Sequence, residues 1–291
     1  MQDSSRPIWL KKIKSQNELT AHMGHPTTRL YVATPVHSEC SIHYTQALLK
    51  LQQVCMMNNI MISFSLLKSS LVTQGRNLCV ANFLNDLNNY THLLFIDSDI
   101  DFNHDTILKL LKFDKEVISV PYPMKTISWE QIWEKIQLGV IKNKDDLMKA
   151  GHTFPIKMDN VMKSDTKEIT IVGGIIEASH VPAGCLLIKR QVFEKMIKAY
   201  PEDVIDQPTF LNGEVKSSTN MYNFFDTIHD KVSKKYYGED FGFCKKWTEI
   251  GGKCYAYIED NISHVGEYQY KGRLLDNLQM SKTVDDTDKN K

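Results

Sequence analysis

A five-residue apolar run, HLLFI (92–96), ends abruptly in DSDIDFNHD. A run of that length with no polar alternation suits a strand covered on both faces, as in the parallel sheets of α/β proteins. The next nine residues hold Asp97, Asp99, Asp101 and Asp105. An acidic loop is therefore predicted at a strand's carboxyl end, where open α/β sheets form their ligand crevices.

The flanking sequence repeats a strand–helix rhythm. RLYVAT (29–34) reads as a strand stopped by Pro35, and Tyr44, Ala47, Leu48, Leu51, Val54 and Cys55 follow at helical spacing. IMISFSLL (60–67) alternates as a second strand, and 76–87 carries Leu78, Val80, Ala81, Leu84 and Leu87 as a helix. After HLLFI, Asn103 or Asp101 can cap a short helix, and EVISVPYP (116–123) returns as a strand closed by prolines. Three or four such units imply an α/β fold with a doubly wound, mostly parallel sheet and helices on both faces.

Past Lys125 the rhythm breaks. Trp129, Ile132, Trp133, Ile136 and Val140 predict an inserted amphipathic helix, followed by an irregular polar stretch over 142–168. ITIVGGIIEA and VPAGCLLIKR read as strands, QVFEKMIKAY as a helix, and 200–223 as a long polar loop. GEDFGFCKKWTEIGG has a helix start and a glycine stop, with a strand at CYAYI after it and a polar, disordered tail over the last eleven residues.

Lys+Arg and Asp+Glu both number 35 in 291 residues, so no net field draws the chain to nucleic acid or an anionic membrane. No segment approaches the roughly 18 apolar residues of a membrane span, and the opening MQDSSRPIWLKKIK lacks a signal-peptide core. A soluble, cytoplasmic protein is expected. Six scattered cysteines without a C-x-x-C pair read as reduced core residues.

Three clusters can carry chemistry. Asp97, Ser98 and Asp99 place two carboxylates where a hard divalent cation could bridge them to diphosphate oxygens. Asp101 offers the same spacing one step later, and the whole loop also serves as a solvated turn with a helix cap. Glu239 and Asp240, between Tyr236, Tyr237, Phe241 and Phe243, open a helix where acidic residues complement the macrodipole. The aromatics around them would also make a partly apolar pocket in which a carboxylate acts as general base. His264 follows the last predicted strand, and a neutral imidazole beside two carboxylates suits Mn²⁺.

Six stretches together resemble the GT-A nucleotide-diphospho-sugar transferases, in particular the compact glycosyltransferase-2-like proteins of giant viruses and large phages. They are RLYVATP, QGRNLCVANFL, THLLFIDSDIDF, VPAGCLLIKRQVF, YYGEDFGFCKKW and HVGEYQYKG, in that order over most of 29–272. The resemblance implies a GT-A domain over 26–272, with a nucleotide-binding half to about 125 and an acceptor and catalytic half from about 126. Residues 1–25 would be an N-terminal extension and 273–291 a polar tail. It implies that Thr34 and Pro35 lie against the nucleotide, that Arg76 and Asn77 approach the diphosphate, and that Ala183 and Gly184 face the donor sugar. Asp97 and Asp99 match the metal-binding D-x-D, His264 a third ligand, and Asp240, with Glu239, the base.

The expected activity is transfer of a sugar from a UDP-sugar, with Mn²⁺ or Mg²⁺, to a hydroxyl of a glycan, protein or other acceptor. Inversion follows from an available base, while retaining enzymes of this fold carry similar D-x-D loops. A nucleotidyltransferase should show a Gly-rich basic loop near its start, and RLYVATPVHSE has none. A non-catalytic carbohydrate-binding relic would keep the fold alone.

Overall fold

The computed structural model describes residues 27–158, 169–206, 208–211, 214–216 and 220–268. The first 26 residues, 159–168 and the tail from 269 lie outside the described residues, and with them the expected N-terminal extension and disordered C-terminus.

The first half runs β1 (Arg29–Val36), α1 (Ile42–Met57), β2 (Met61–Lys68), α2 (Val72–Asn85), β3 (His92–Ile96), β4 (Ile100–Asp101), α3 (His104–Phe113) and β5 (Val117–Ser119). Next come α4 (Trp129–Gln137), α5 (Lys144–Ala150), β6 (Ile175–Ala178), β7 (Cys185–Lys189) and α6 (Arg190–Ala199). A 3₁₀ turn at Pro201–Asp203 leads to β8 (Thr209–Leu211), β9 (Glu214–Lys216), β10 (Ile228–Asp230) and β11 (Lys235–Tyr237). The chain then forms α7 (Glu239–Glu249), β12 (Cys254–Tyr257) and β13 (Ser263–His264).

Seven strands form one sheet in the order β2-β1-β3-β7-β5-β12-β6. β1 is parallel to β2 and β3, and β5 to β12, while β7 and β6 run antiparallel to their neighbours. Five of the seven strands therefore point the same way, as expected for an α/β sheet. The pleat sends alternate residues to opposite faces. Tyr31, Ala33, Leu93 and Phe95 pack against α2, α6 and α7, whereas Leu30, Val32, Leu94 and Ile96 pack against α1 and α3. Helices thus cover both faces. Among the described residues no helix is long and apolar enough to cross a membrane.

Several boundaries differ from the sequence expectation. β1 continues through Pro35 to Val36, because its pairing with β3 ends at Ala33 and Pro35 lies where β1 has β2 alone beside it. The strand expected over 116–123 shortens to three residues, since Pro121 and Pro123 cannot donate to a ladder. α2 starts at Val72, so Arg76 sits inside the helix rather than at its entry. ITIVGGIIEA yields only β6, because Gly173 and Gly174 adopt positive φ and turn the chain. The polar stretch from 142 contains α5, capped by Asn143 Oδ1 on the Asp146 amide. The expected loop over 200–223 holds the 3₁₀ turn and the β8–β9 hairpin.

α7 seats against the loop at Asp226 through Gly242, where a Cβ would meet the Asp226 carbonyl oxygen at 1.9 Å. Phe225 stacks on Phe243 at 4.6 Å between ring centres, and Phe95 meets Phe225 edge-on at 5.3 Å. This aromatic column runs from the sheet to the helix that carries Glu239 and Asp240.

Candidate functional site

The acidic loop is fixed from three directions. Ser41, whose hydroxyl caps α1 by accepting from the Tyr44 amide, donates its own amide to the Ser98 carbonyl at 2.8 Å. The Asp97 amide donates to Gly184 O at 3.0 Å, and the Val265 amide to Asp99 O at 2.8 Å. β4 and β13 pair antiparallel with His264 opposite Ile100, which brings the end of the described chain to the loop after β3.

Arg76 joins this loop to α7. Its NH2 donates to both oxygens of Asp97, at 3.0 and 3.1 Å, and its Nε donates to Glu239 Oε1 at 3.0 Å. The guanidinium lies 5.2 Å from the centre of the Phe95 ring and is 3% exposed. Burial works against its charge, but Asp97 and Glu239 hold its pKa above the ordinary value. NH1 is buried and has no hydrogen-bond partner among the described residues. The arginine thus ties itself by charge-assisted bonds to carboxylates 21 and 163 residues away.

Asp99 has different partners. Lys125 Nζ lies 2.5 Å from its Oδ2, and His264 Nε2 lies 3.4 Å from the same oxygen. Burial raises the Asp99 pKa, but the bonds from His264 and Lys125 outweigh it and bring it down to about 2. His264 Nδ1 stands 3.1 Å from Pro123 O, a contact that orients the ring so that Nε2 is the nitrogen facing Asp99. The imidazole meets Tyr122 edge-on at 5.0 Å. That ring lies on Gly184, where a Cβ would come within 2.5 Å of it.

Asp240 begins α7 beside Glu239. Its Oδ1 accepts from the Phe241 amide at 2.8 Å. Desolvation, followed by the nearby Glu239 charge, pushes its pKa up to about 6 despite that bond and Arg76. Glu239 is engaged by Arg76, so Asp240 is the carboxylate of the pair poised near neutral pH.

The structure brings Asp97, Arg76, Glu239 and Asp240 into one group and Asp99, His264 and Lys125 into an adjoining one. Among the described residues no three His, Cys, Asp or Glu side chains converge as a ready metal cage. The Asp99–His264 pair is nonetheless oxygen-and-imidazole donor chemistry of the kind Mn²⁺ accepts. Mg²⁺ also commonly rests on one or two protein groups, with substrate and water oxygens completing its shell. Both oxygens of Asp97 are engaged by Arg76.

The residues expected along the donor are mostly turned inward. Thr34 is buried, its hydroxyl in a short hydrogen bond with Tyr44 OH, and Pro35 is half-buried beside it. Asn77 is buried, with its Nδ2 donating to Asn223 Oδ1 and Phe225 O and its Oδ1 accepting from the Phe225 amide. Ala183 packs in the core, and Gly184 presents its carbonyl to the acidic loop. Lys125, Tyr122 and Pro123 enter the site without any signal from spacing, because they reach it through a strand end and a loop.

No family model matches the sequence, and no curated protein does either. Among solved structures, A197 from STIV is 15% identical, with a TM-score of 0.40 over 84% of this chain and 98% of that one. The 4-diphosphocytidyl-2C-methyl-D-erythritol synthase from Anaerococcus prevotii DSM 20548 is 9% identical, with a TM-score of 0.31 over 76% of this chain and 96% of that one. At such scores the chemistry rests on the site's own side chains.

Proposed function

We propose that this chain is a metal-dependent GT-A glycosyltransferase that moves a sugar from a nucleotide-diphosphate donor, a UDP-sugar, to an acceptor hydroxyl with inversion. One observation carries the reading: the acidic turn after β3 meets a metal-type donor pair, Asp99 with His264, and through Arg76 the helix start that presents Asp240. The acidic turn itself follows the parallel strand β3 at its carboxyl end, the position at which open α/β sheets bind ligands.

In this reading Asp99 and His264 hold Mn²⁺ or Mg²⁺, which when bound supplies Lewis-acid stabilisation of the leaving diphosphate. Asp97 joins them only by giving up Arg76. Arg76 positions Asp97 and Glu239 from beneath; Pro35 and Ser98, both half-buried, line the donor side, and Thr34, Asn77, Ala183 and Gly184 support it from within the fold. Asp240 takes the proton of the acceptor hydroxyl as its oxygen bonds to the anomeric carbon. The bond from that carbon to the diphosphate oxygen breaks, and its electron pair leaves with the nucleoside diphosphate.

Calorimetric titration of UDP in Mn²⁺ and in EDTA tests the reading. Binding that requires Mn²⁺ is expected, together with Mn²⁺-dependent release of UDP from a UDP-sugar. Equal affinity in EDTA would overturn the cation bridge, and no UDP binding in either buffer would overturn the transferase.

A further inference from the structure

A cavity of about 640 Å³ lies along the face of α7 formed by Phe241, Lys245, Thr248 and Glu249. That is well within the range of small-molecule sites, about 300–1,000 Å³. Its other walls are Ser179 and His180, just ahead of the Ala183–Gly184 turn, and the β10–β11 hairpin, whose Tyr237 stands just ahead of Glu239 and Asp240. The cavity is therefore continuous in sequence, on two sides, with the segments that build the transfer site.

One wall is a row of near-parallel rings. His180 stacks on Phe241 at 4.5 Å and 17°, and Tyr237 lies against the same ring at 5.8 Å and 13°. Lys157 Nζ is held over these rings, 4.4 Å from the centre of Tyr237 and 5.0 Å from that of Phe241. The carboxylates of the cavity are occupied elsewhere. Asp230 accepts from the Val232 and Ser233 amides and the Ser233 hydroxyl, and Glu249 pairs with Lys245 at 3.2 Å. Among the described residues no carboxylate forms an ion pair with Lys157 or with Lys231, which also faces the cavity.

A pyranose presents an apolar C–H face and a polar edge. Stacked rings match the first, and an ammonium that has no carboxylate partner among the described residues matches an anionic group on the second. We propose that this cavity is the acceptor subsite and that it takes a sugar bearing an anionic substituent, a phosphate or a carboxylate, held by Lys157 and Lys231 against the Tyr237–Phe241 wall. The assignment as an acceptor site rests on the transferase reading; the binding of an anionic sugar does not.

Calorimetric titration with glucose 6-phosphate, glucuronate, glucose and inorganic phosphate separates the contributions. At least one charged sugar should bind roughly tenfold or more tightly than glucose, and more tightly than inorganic phosphate. Lys157→Met should erase most of that difference, and Lys157→Arg should retain it. Preference between the two charged sugars identifies the anion. Glucose binding as well as both charged sugars, phosphate matching the sugar phosphate, no binding by either charged sugar, or an unchanged Lys157→Met variant would each overturn the proposal. UDP titration with Mn²⁺ on the same samples reports the donor site separately. Loss of UDP binding with retained sugar-phosphate binding sinks the transferase and leaves the anionic-sugar site standing.

Discussion

Replacing Asp240 with Asn removes a proton acceptor and a poorly solvated charge together. The Asp240 carboxyl titrates at about 6 in the fold, against 3.8 for the free side chain. Between those values the unfolded chain has released its proton while the folded one keeps it, so wild-type stability falls as pH rises from about 4 through 6. The gap of about two pH units corresponds to about 3 kcal/mol at 1.36 kcal/mol per unit. The amide cannot ionise, and its oxygen can still accept from the Phe241 amide as Asp240 Oδ1 does. The Asn variant should therefore gain stability relative to wild type between pH 4 and 8, by up to about 3 kcal/mol. Transfer should meanwhile fall by roughly 10²–10⁴-fold with UDP-sugar affinity kept. Urea denaturation of both proteins at pH 4.5, 6 and 8, beside turnover, measures the two effects. A stability difference that does not change with pH would refute the desolvation argument, and near-normal turnover would refute the base assignment.

His264→Ala should weaken Mn²⁺-dependent UDP binding by roughly 10–100-fold with little change in the thermal midpoint of the metal-free protein; lost stability with unchanged Mn²⁺ dependence would make the imidazole structural. Arg76→Met leaves Asp97 and Glu239, 27% and 15% exposed, without their shared cation. A loss of about 3–5 kcal/mol is expected in denaturant titrations. Gly242→Ala sets a methyl 1.9 Å from the Asp226 carbonyl oxygen, a backbone atom that cannot swing aside. It should lower stability by about 1–3 kcal/mol or more, and an unaffected midpoint would show that α7 can shift.

The periodic parts of the fold were readable because burial leaves a local trace. HLLFI predicts β3 residue for residue, and Asn103 caps α3 as the sequence suggests, its side chain accepting from the Asp105 amide. Strand direction left no such trace. CLLIK is as uniformly apolar as HLLFI, yet β7 inserts antiparallel between β3 and β5, since either orientation buries both faces. The site was legible in its carboxylates, which cluster along the chain, and much less in what holds them. Arg76 meets partners 21 and 163 residues away, and Lys125 reaches Asp99 across 26. Asn77 could be read as facing a ligand only because its buried bonds to Asn223 and Phe225 depend on a loop with no periodicity.

The β4–β13 ladder is two residues long on each strand, and it holds His264 and Val265 against Asp99 near the end of the described chain. A ladder so short opens at a small fraction of the free energy that unfolds the main sheet. Amide exchange at Val265 should accordingly outpace exchange at Leu94 by orders of magnitude. During synthesis β1 to β7 can assemble around Asp97 before residue 264 has left the ribosome, so the imidazole arrives last at an acidic loop already built. Cleavage between β12 and β13 would then leave the seven-stranded sheet standing while releasing His264 from Asp99.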